Sequence, residues 1–165
     1  NDGVGSKISG GLAGVAFLNQ SGAVSNSGGA EVTSGFVFSD GVQMQAGGSV
    51  TNTGAGSLIK GGTTGVNISG GTGTVTNTGG ASINGVGAGV FGVNLQAGGT
   101  VTNGAGSSIH GSAASVQAAG GATTLSNAGM LNGSVQLDGA AANQVTLFTG
   151  SKIYSNTGAL QAMRI

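Results

Sequence analysis

The chain lacks several residue types that often decide how a small protein is held together. It has no Cys, no Pro and no Trp among its 165 residues. Without Cys it cannot use the disulfides on which many secreted proteins of this size depend. Because a proline removes an interstrand hydrogen bond, its absence leaves every segment free to join a sheet.

Charge is also scarce, with four Lys or Arg, four Asp or Glu and a formal net charge of zero. Such a composition leaves no electrostatic footprint for nucleic acid, an anionic membrane or a charged substrate. No hydrophobic run reaches the ~18 residues that span a bilayer, so we expect no direct membrane insertion by this segment. The chain begins without Met or a signal peptide and stops inside a repeat pattern. We therefore expect residues 1–165 to form one segment of a longer polypeptide.

Glycine, by contrast, is abundant, with 38 residues, and it accompanies an internal repeat. An aliphatic-polar-Asn triplet, such as Val75-Thr76-Asn77, recurs at intervals of 26, 25, 26 and 24 residues. Repeats of this length are typical of solenoid architectures. The Asn residues of the five triplets are Asn26, Asn52, Asn77, Asn103 and Asn127.

Two further short segments follow each triplet. One places an aliphatic residue shortly before Gly, as in Ile83-Asn84-Gly85, and the other alternates apolar and polar residues, as in Val93-Asn94-Leu95-Gln96. Alternation with a period of two indicates β-strands, and the Gly-rich bends between segments are too short for a crossover helix. The sequence therefore predicts an all-β, single-stranded parallel β-helix (β-solenoid) with three short strands per turn and about six to seven turns. The alternating segments begin at Val42, Val66, Val93 and Val135.

The five repeated Asn residues fall on the inward side of their strands, at a bend. Asn tolerates bend conformations, and its amide can bond to the amides in the turns above and below. A stack of this kind satisfies buried polar groups that otherwise cost ~1–3 kcal/mol each. We predict a structural Asn ladder formed by Asn26, Asn52, Asn77, Asn103 and Asn127.

These motifs resemble a known family. The pattern "GGxVTNTGxxSIxG" with "GVNLQAGGTVTN", followed by "GAAANQVTLFTGSKI" at 139–153, is similar to the adhesin-like passenger domains of bacterial autotransporters (type V secretion). The resemblance implies a right-handed parallel β-helix that is exported through the outer membrane to the bacterial cell surface. It further implies a C-terminal translocator barrel elsewhere in the parent chain. Self-association or a receptor on a host or bacterial surface would be the binding partner.

No motif in the chain indicates catalysis or cofactor binding. Residues 87–92 fit G-x-G-x-x-G, but they lack the strand before, the helix after and the acidic partner that dinucleotide binding requires. The Gly-rich turns lack the Asp of calcium-binding repeats. We expect no enzyme activity, no cofactor and no catalytic or metal site. The carboxylates are scattered along the sequence at Asp2, Glu31, Asp40 and Asp138.

Two groups of polar residues receive a structural interpretation. His110 takes the polar position that Lys60, Asn84 and Asn132 occupy in other repeats, which predicts a solvated side chain. Thr51-x-Thr53 and Thr76-x-Thr78 resemble the Thr ranks of ice-binding surfaces. Because the pairs cover only two turns, we interpret them as ordinary β-branched surface residues.

The repeat is broken most clearly at residues 33–41. Phe36 and Phe38 have the same parity around Val37, so either the phenylalanines or the valine must face outward unless the segment is an irregular bend. We predict a protruding loop there, with a possible contact site formed by Phe36, Phe38 and Asp40.

These observations predict a non-catalytic extracellular stalk or adhesin segment that mediates adhesion, aggregation or biofilm formation. One alternative is a self-assembling β-solenoid filament subunit. Another is a carbohydrate-processing β-helix enzyme, which would need two carboxylates within ~10 Å of each other in a groove. Since the chain has so little charge, we expect adhesion through a neutral rod to depend weakly on salt.

Overall fold

The computed structural model describes residues 1–154, and residues 155–165 of the predicted single segment lie outside the described part. The regular structure of residues 1–154 consists of seventeen β-strands. No helix in this part of the chain is long and apolar enough to cross a membrane.

The strands form three faces, which follow one another around each turn of the coil. The hydroxyl face, named for its outward Ser and Thr side chains, contains β3 (Gly22–Ser27), β6 (Gly48–Thr53), β9 (Gly73–Thr78), β12 (Gly99–Asn103), β14 (Thr123–Asn127) and β16 (Gln144–Leu147). The lysine face contains β1 (Lys7–Gly10), β4 (Glu31–Ser34), β7 (Leu58–Gly61), β10 (Ser82–Gly85), the first parts of β13 (Ser108–Ala118) and β15 (Met130–Leu137), and β17 (Lys152–Tyr154). The amide face contains β2 (Ala13–Phe17), β5 (Asp40–Met44), β8 (Thr64–Ile68), β11 (Phe91–Leu95) and the second parts of β13 and β15.

Each strand pairs in parallel with the strand of the same face one turn away, which makes the chain a β-solenoid of about six turns. The hydroxyl face is a six-stranded sheet of its own. The lysine and amide faces join into one eleven-stranded sheet because β13 and β15 continue through the corner between them. The predicted all-β parallel solenoid is confirmed, with fused second and third strands in two of its turns.

The core consists of stacked apolar side chains, with one row under the lysine face, one under the hydroxyl face and two under the amide face. The second row of the amide face comprises Met44, Ile68, Leu95 and Ala118. Ile83 of β10 is in register with Ile59 on one side and Ile109 on the other, and all three are fully buried. Similar stacking at every turn buries a continuous column of apolar side chains. Burial of apolar surface is the main favourable contribution to folding. The buried rows are Val32, Ile59, Ile83, Ile109 and Leu131 under the lysine face, Val50, Val75, Val101 and Leu125 under the hydroxyl face, and Val42, Val66, Val93 and Val116 under the amide face.

Glycine is required at the bend that joins the hydroxyl face to the lysine face. Gly79 and Gly80 have φ angles of 68° and 85°, in the left-handed region that only glycine enters easily. A Cβ atom on Gly79 would lie 3.0 Å from the backbone nitrogen of Gly54 in the preceding turn. The glycines of "TNTGG" therefore allow both the turn and the close stacking of successive turns.

Candidate interaction surfaces

The structure brings the five repeated Asn side chains together in one buried row. Successive residues of the row are in register along the hydroxyl face. Each Nδ2 donates to the Oδ1 of the next residue over 2.8, 3.0, 2.9 and 2.8 Å. None is more than 1% exposed. The row comprises Asn26, Asn52, Asn77, Asn103 and Asn127.

The Asn ladder also stabilises the corner between the hydroxyl and lysine faces by hydrogen bonds to backbone carbonyl groups. The Nδ2 atom of Asn77 lies 3.2 Å from the carbonyl oxygen of Ala81 in its own turn and 2.9 Å from that of Ser108 in the next. Asn1 extends the ladder, since its Nδ2 donates to Asn26 Oδ1 over 2.8 Å. The sequence analysis did not identify Asn1, which has no preceding triplet residues to mark it. The ladder is therefore a structural device and not a ligand site.

The predicted loop protrudes between β4 and β5, but it does not present all three residues that were expected to form a contact site. Phe36 and Phe38 are 62% and 89% exposed, and Val37 between them is 72% exposed. The segment is thus an irregular bend in which successive side chains all point outward, instead of alternating between the two sides as in a strand. Asp40, by contrast, is only 8% exposed and belongs to β5. The aromatic side chains can contact a partner, whereas the carboxylate is turned into the protein.

Asp40 is held by its neighbours on the amide face. Its Oδ2 accepts a hydrogen bond from Asn67 Nδ2 over 2.8 Å. Burial raises the pKa of the Asp40 carboxyl above its ordinary value, and hydrogen bonds from Asn67 and Thr64 offset part of this effect. Asn67 in turn accepts from Asn94 Nδ2 over 3.2 Å. The amide face thus has an outward row of side-chain amides at Gln43, Asn67, Asn94, Gln117 and Gln136.

The hydroxyl face carries an ordered array of hydroxyl groups. The strand pairing aligns Thr51 with Thr76 and Thr76 with Thr102, so the Thr pairs considered in the sequence belong to rows that continue along the whole face. Its six strands contain no Lys, Arg, Asp or Glu. Within residues 1–154, the hydroxyls of the central row have no protein hydrogen-bond partner. That row comprises Ser25, Thr51, Thr76, Thr102, Ser126 and Thr146.

The lysine face carries positive charge, although the formal net charge of the whole chain is zero. Lys7, Lys60 and Lys152, the three lysines of residues 1–154, all lie on this face. The register places His110 in the same outward column as Lys60, Asn84 and Asn132, as the sequence predicts. The predicted solvated side chain is wrong, because His110 is half-buried and its Nδ1 atom is buried with no hydrogen-bond partner within residues 1–154. The lysine face carries one acidic residue, Glu31, whose Oε2 lies 3.5 Å from Lys7 Nζ.

A shallow depression of about 360 Å³ opens on the lysine face beside the protruding loop. Lys7, Glu31 and Lys60 line it together with hydroxyl-bearing side chains, and Gly35 at the base of the loop forms part of its wall. The sequence analysis missed this feature because its residues come from three different repeats. The hydroxyl-bearing residues are Ser9, Thr33 and Ser34.

The four carboxylates are engaged separately and in different parts of the solenoid. Asp2 Oδ1 accepts from Ser27 Oγ over 2.8 Å, and Asp138 Oδ2 accepts from the backbone nitrogen of Gly120 over 3.1 Å. Glu31 faces Lys7 on the lysine face, and Asp40 is bonded on the amide face. Residues 1–154 contain no cluster of three or more His, Cys, Asp or Glu side chains that could hold a metal ion.

No protein-family model, curated protein or solved structure matches this chain. Its class is therefore defined by its own architecture: it is a β-helix repeat protein with a buried Asn ladder and three chemically distinct outer faces.

Proposed function

We propose that the chain is a non-catalytic stalk or adhesin segment of an autotransporter passenger, displayed at the bacterial cell surface, and that it associates with like segments through the hydroxyl face. The observation that carries the proposal is the array on that face. It extends over six strands without a charged residue, and the hydroxyls of its central row have no hydrogen-bond partner among residues 1–154. The passenger assignment rests on the resemblance of the repeats to that family.

A surface of this composition suits association with a copy of itself. Two hydroxyl faces bring no like charges together, and every Ser or Thr hydroxyl can both donate and accept a hydrogen bond. Turns stacked at the interstrand spacing of ~4.8 Å repeat the same groups along the rod. Many weak contacts can then form in register, and the association strengthens with the number of turns that overlap.

Sedimentation of the purified chain over a range of concentrations tests this proposal. The variant combines Thr51→Lys with Thr102→Lys, which introduces like charges two turns apart on the hydroxyl face. The control introduces the same number of charges on the amide face, three turns apart, by combining Gln43→Lys with Gln117→Lys. We expect the hydroxyl-face variant to remain monomeric under conditions where the wild type and the control associate.

Equal loss of association in both variants would show that net charge, and not the hydroxyl face, controls it. A wild-type chain that stays monomeric at all concentrations would contradict the self-association part of the proposal. The passenger assignment is tested separately by the flanking sequence of the parent gene, which we expect to encode a C-terminal translocator domain. A parent protein without one would contradict that assignment.

A further inference from the structure

The lysines of the lysine face are separated by even numbers of turns along the solenoid axis. Lys7 lies on β1, Lys60 on β7 and Lys152 on β17. Counting along the paired strands of this face, Lys60 is two turns from Lys7, and Lys152 is four turns from Lys60. Two turns correspond to about 10 Å along the axis at the usual strand spacing. Lys7 and Lys152 share one register column and Lys60 lies in the neighbouring outward column, so the lysines recur at multiples of about 10 Å along the axis.

The positions between these cations are mostly uncharged and polar. Thr33, Asn84 and Asn132 occupy the alternate turns of the column that contains Lys60 and His110. They supply hydroxyl and amide groups that can donate and accept hydrogen bonds. Glu31 is the single acid of the face, so three lysines stand against one carboxylate.

We propose that the lysine face binds a linear acidic polysaccharide that lies along the solenoid axis and carries one carboxylate per disaccharide. In such a polymer the carboxylate recurs once per extended disaccharide, a distance comparable to two turns of the solenoid. Lys60 and Lys152 meet carboxylates of the polymer, Lys7 does so beside its ion-pair partner Glu31, and the uncharged polar residues between them bond to the sugar that intervenes. The inference extends the proposed adhesive role to a second surface and does not depend on association through the hydroxyl face.

The charge density favours this polymer over nucleic acid. A nucleic acid strand carries one phosphate about every 3.4 Å, at least about three times as often as lysines recur along this face. Most of its phosphates would have no basic partner here, and some would meet Glu31. A polymer with sparse carboxylates and many hydroxyl groups matches both the spacing of the cations and the chemistry between them.

The protruding loop supplies a further contact at one end of this path. The depression between Lys7 and Lys60 is bounded by Gly35, and the exposed rings of Phe36 and Phe38 follow directly in the chain. An exposed phenyl ring offers an apolar surface to the C–H groups of a sugar ring. The loop and the lysine face therefore form one continuous surface with charged, polar and apolar parts.

Binding of the purified monomeric chain to hyaluronan, in which a uronic acid alternates with an uncharged amino sugar, tests the proposal by titration calorimetry at low salt. Dextran is the uncharged control polymer, and single-stranded oligo-dT is the control for a dense polyanion. We expect binding to hyaluronan and none to dextran. Lys60→Gln combined with Lys152→Gln should weaken hyaluronan binding about tenfold, since each exposed ion pair contributes roughly a threefold factor.

The spacing itself is tested by a variant with unchanged composition. Lys60→Asn combined with Asn84→Lys moves one cation by one turn within the same column, because these residues are register partners. We expect weaker binding to hyaluronan and unchanged weak binding to oligo-dT. Equal affinity of the wild type and this variant for hyaluronan would overturn the spacing match, and tighter binding to oligo-dT than to hyaluronan would identify a general polyanion surface. Neither result bears on sedimentation without polysaccharide, so failure here is distinguishable from failure of the proposed self-association.

Discussion

The hydroxyl face and the lysine face are built on the same backbone repeat, yet they differ in what they turn outward. On the hydroxyl face, the same small uncharged groups recur in nearly every turn, as in Thr51, Thr76 and Thr102. On the lysine face, the equivalent positions vary from turn to turn and include all three lysines of residues 1–154. Inward positions repeat from turn to turn, with aliphatic rows under both faces and the Asn ladder at the corner between them. Packing thus fixes the inward residues and leaves the outward chemistry free to differ.

The expectation that low charge leaves no footprint for a charged partner stays a prediction, and it rests on net charge rather than on how charge is distributed among the faces. A net charge of zero describes the composition of the whole chain, whereas a partner meets one face at a time. Asp2, Asp40 and Asp138 lie off the lysine face and bond to protein groups, so they do not neutralise it locally. The two faces therefore differ in local charge, which is why we propose a different partner for each.

The largest effect on the free energy of unfolding is expected from a substitution in the buried core on which the outer faces are built. Ile83→Ala opens a cavity in the core column and should lower the free energy of unfolding by about 2–5 kcal/mol. Its neighbour Asn84 points outward on the same strand, so Asn84→Ala should change stability by less than about 0.5 kcal/mol. Chemical denaturation of both variants checks the contrast. Similar losses for the two substitutions would contradict the assignment of inward and outward positions.

A smaller loss is expected when the corner between the two faces is disturbed. Asn77→Leu leaves Oδ1 of Asn103 without its donor, whereas Nδ2 of Asn52 loses one acceptor and keeps the carbonyl oxygen of Ser82. A buried polar group without a partner should cost about 1–3 kcal/mol. Asn84→Leu, at an outward position of the next strand, is the control. An unchanged denaturation curve for Asn77→Leu would show that the Asn ladder contributes nothing to stability.

Salt should affect association through the hydroxyl face and binding to the lysine face differently, and this effect should be smaller than those of the core and ladder substitutions. Raising the salt concentration from about 50 to about 500 mM shortens the range of charge interactions. We expect self-association through the hydroxyl face to change by less than about twofold, and hyaluronan binding to the lysine face to weaken about tenfold. Sedimentation and calorimetry over the same salt series measure the two responses. A steep salt dependence of self-association would assign that process to a charged surface instead.

The sequence predicted the solenoid because its signals are local and repeated. The triplet at Asn77 has the same form in five turns, and its parity alone places Val75 in the core. The alternating segment at Val116 was missed because β13 runs through its corner without a Gly-rich bend. The location of Lys7, Lys60 and Lys152 on one face was also missed, since they are separated by whole periods of varied residues. Only the strand register converts these sequence distances into neighbouring positions on one face.

The smallest effect on stability is expected from Asp40, which lies in the same turn as Glu31 but on the amide face, away from the lysine face. Burial raises the pKa of Asp40 above its ordinary value of 3.8, so the folded chain binds this proton more tightly than the unfolded chain does. The free energy of unfolding therefore falls as the pH rises from below 3.8 through the raised pKa, because the ionised Asp40 carboxylate is less favourable in the folded chain than in the unfolded chain. Asp40→Asn removes the ionisation and keeps an oxygen acceptor for Asn67.

Thermal melting of the wild type and Asp40→Asn between about pH 3 and pH 7 measures this linkage. We expect the wild type to lose stability relative to the variant as the pH rises through the acid range. Glu31→Gln, which alters the exposed carboxylate paired with Lys7, is the control and should not reproduce this trend. A wild type that gains stability over Asp40→Asn with rising pH would mean that the hydrogen bonds from Asn67 and Thr64 outweigh burial. Asp40 would then be a stabilising anion within the amide face.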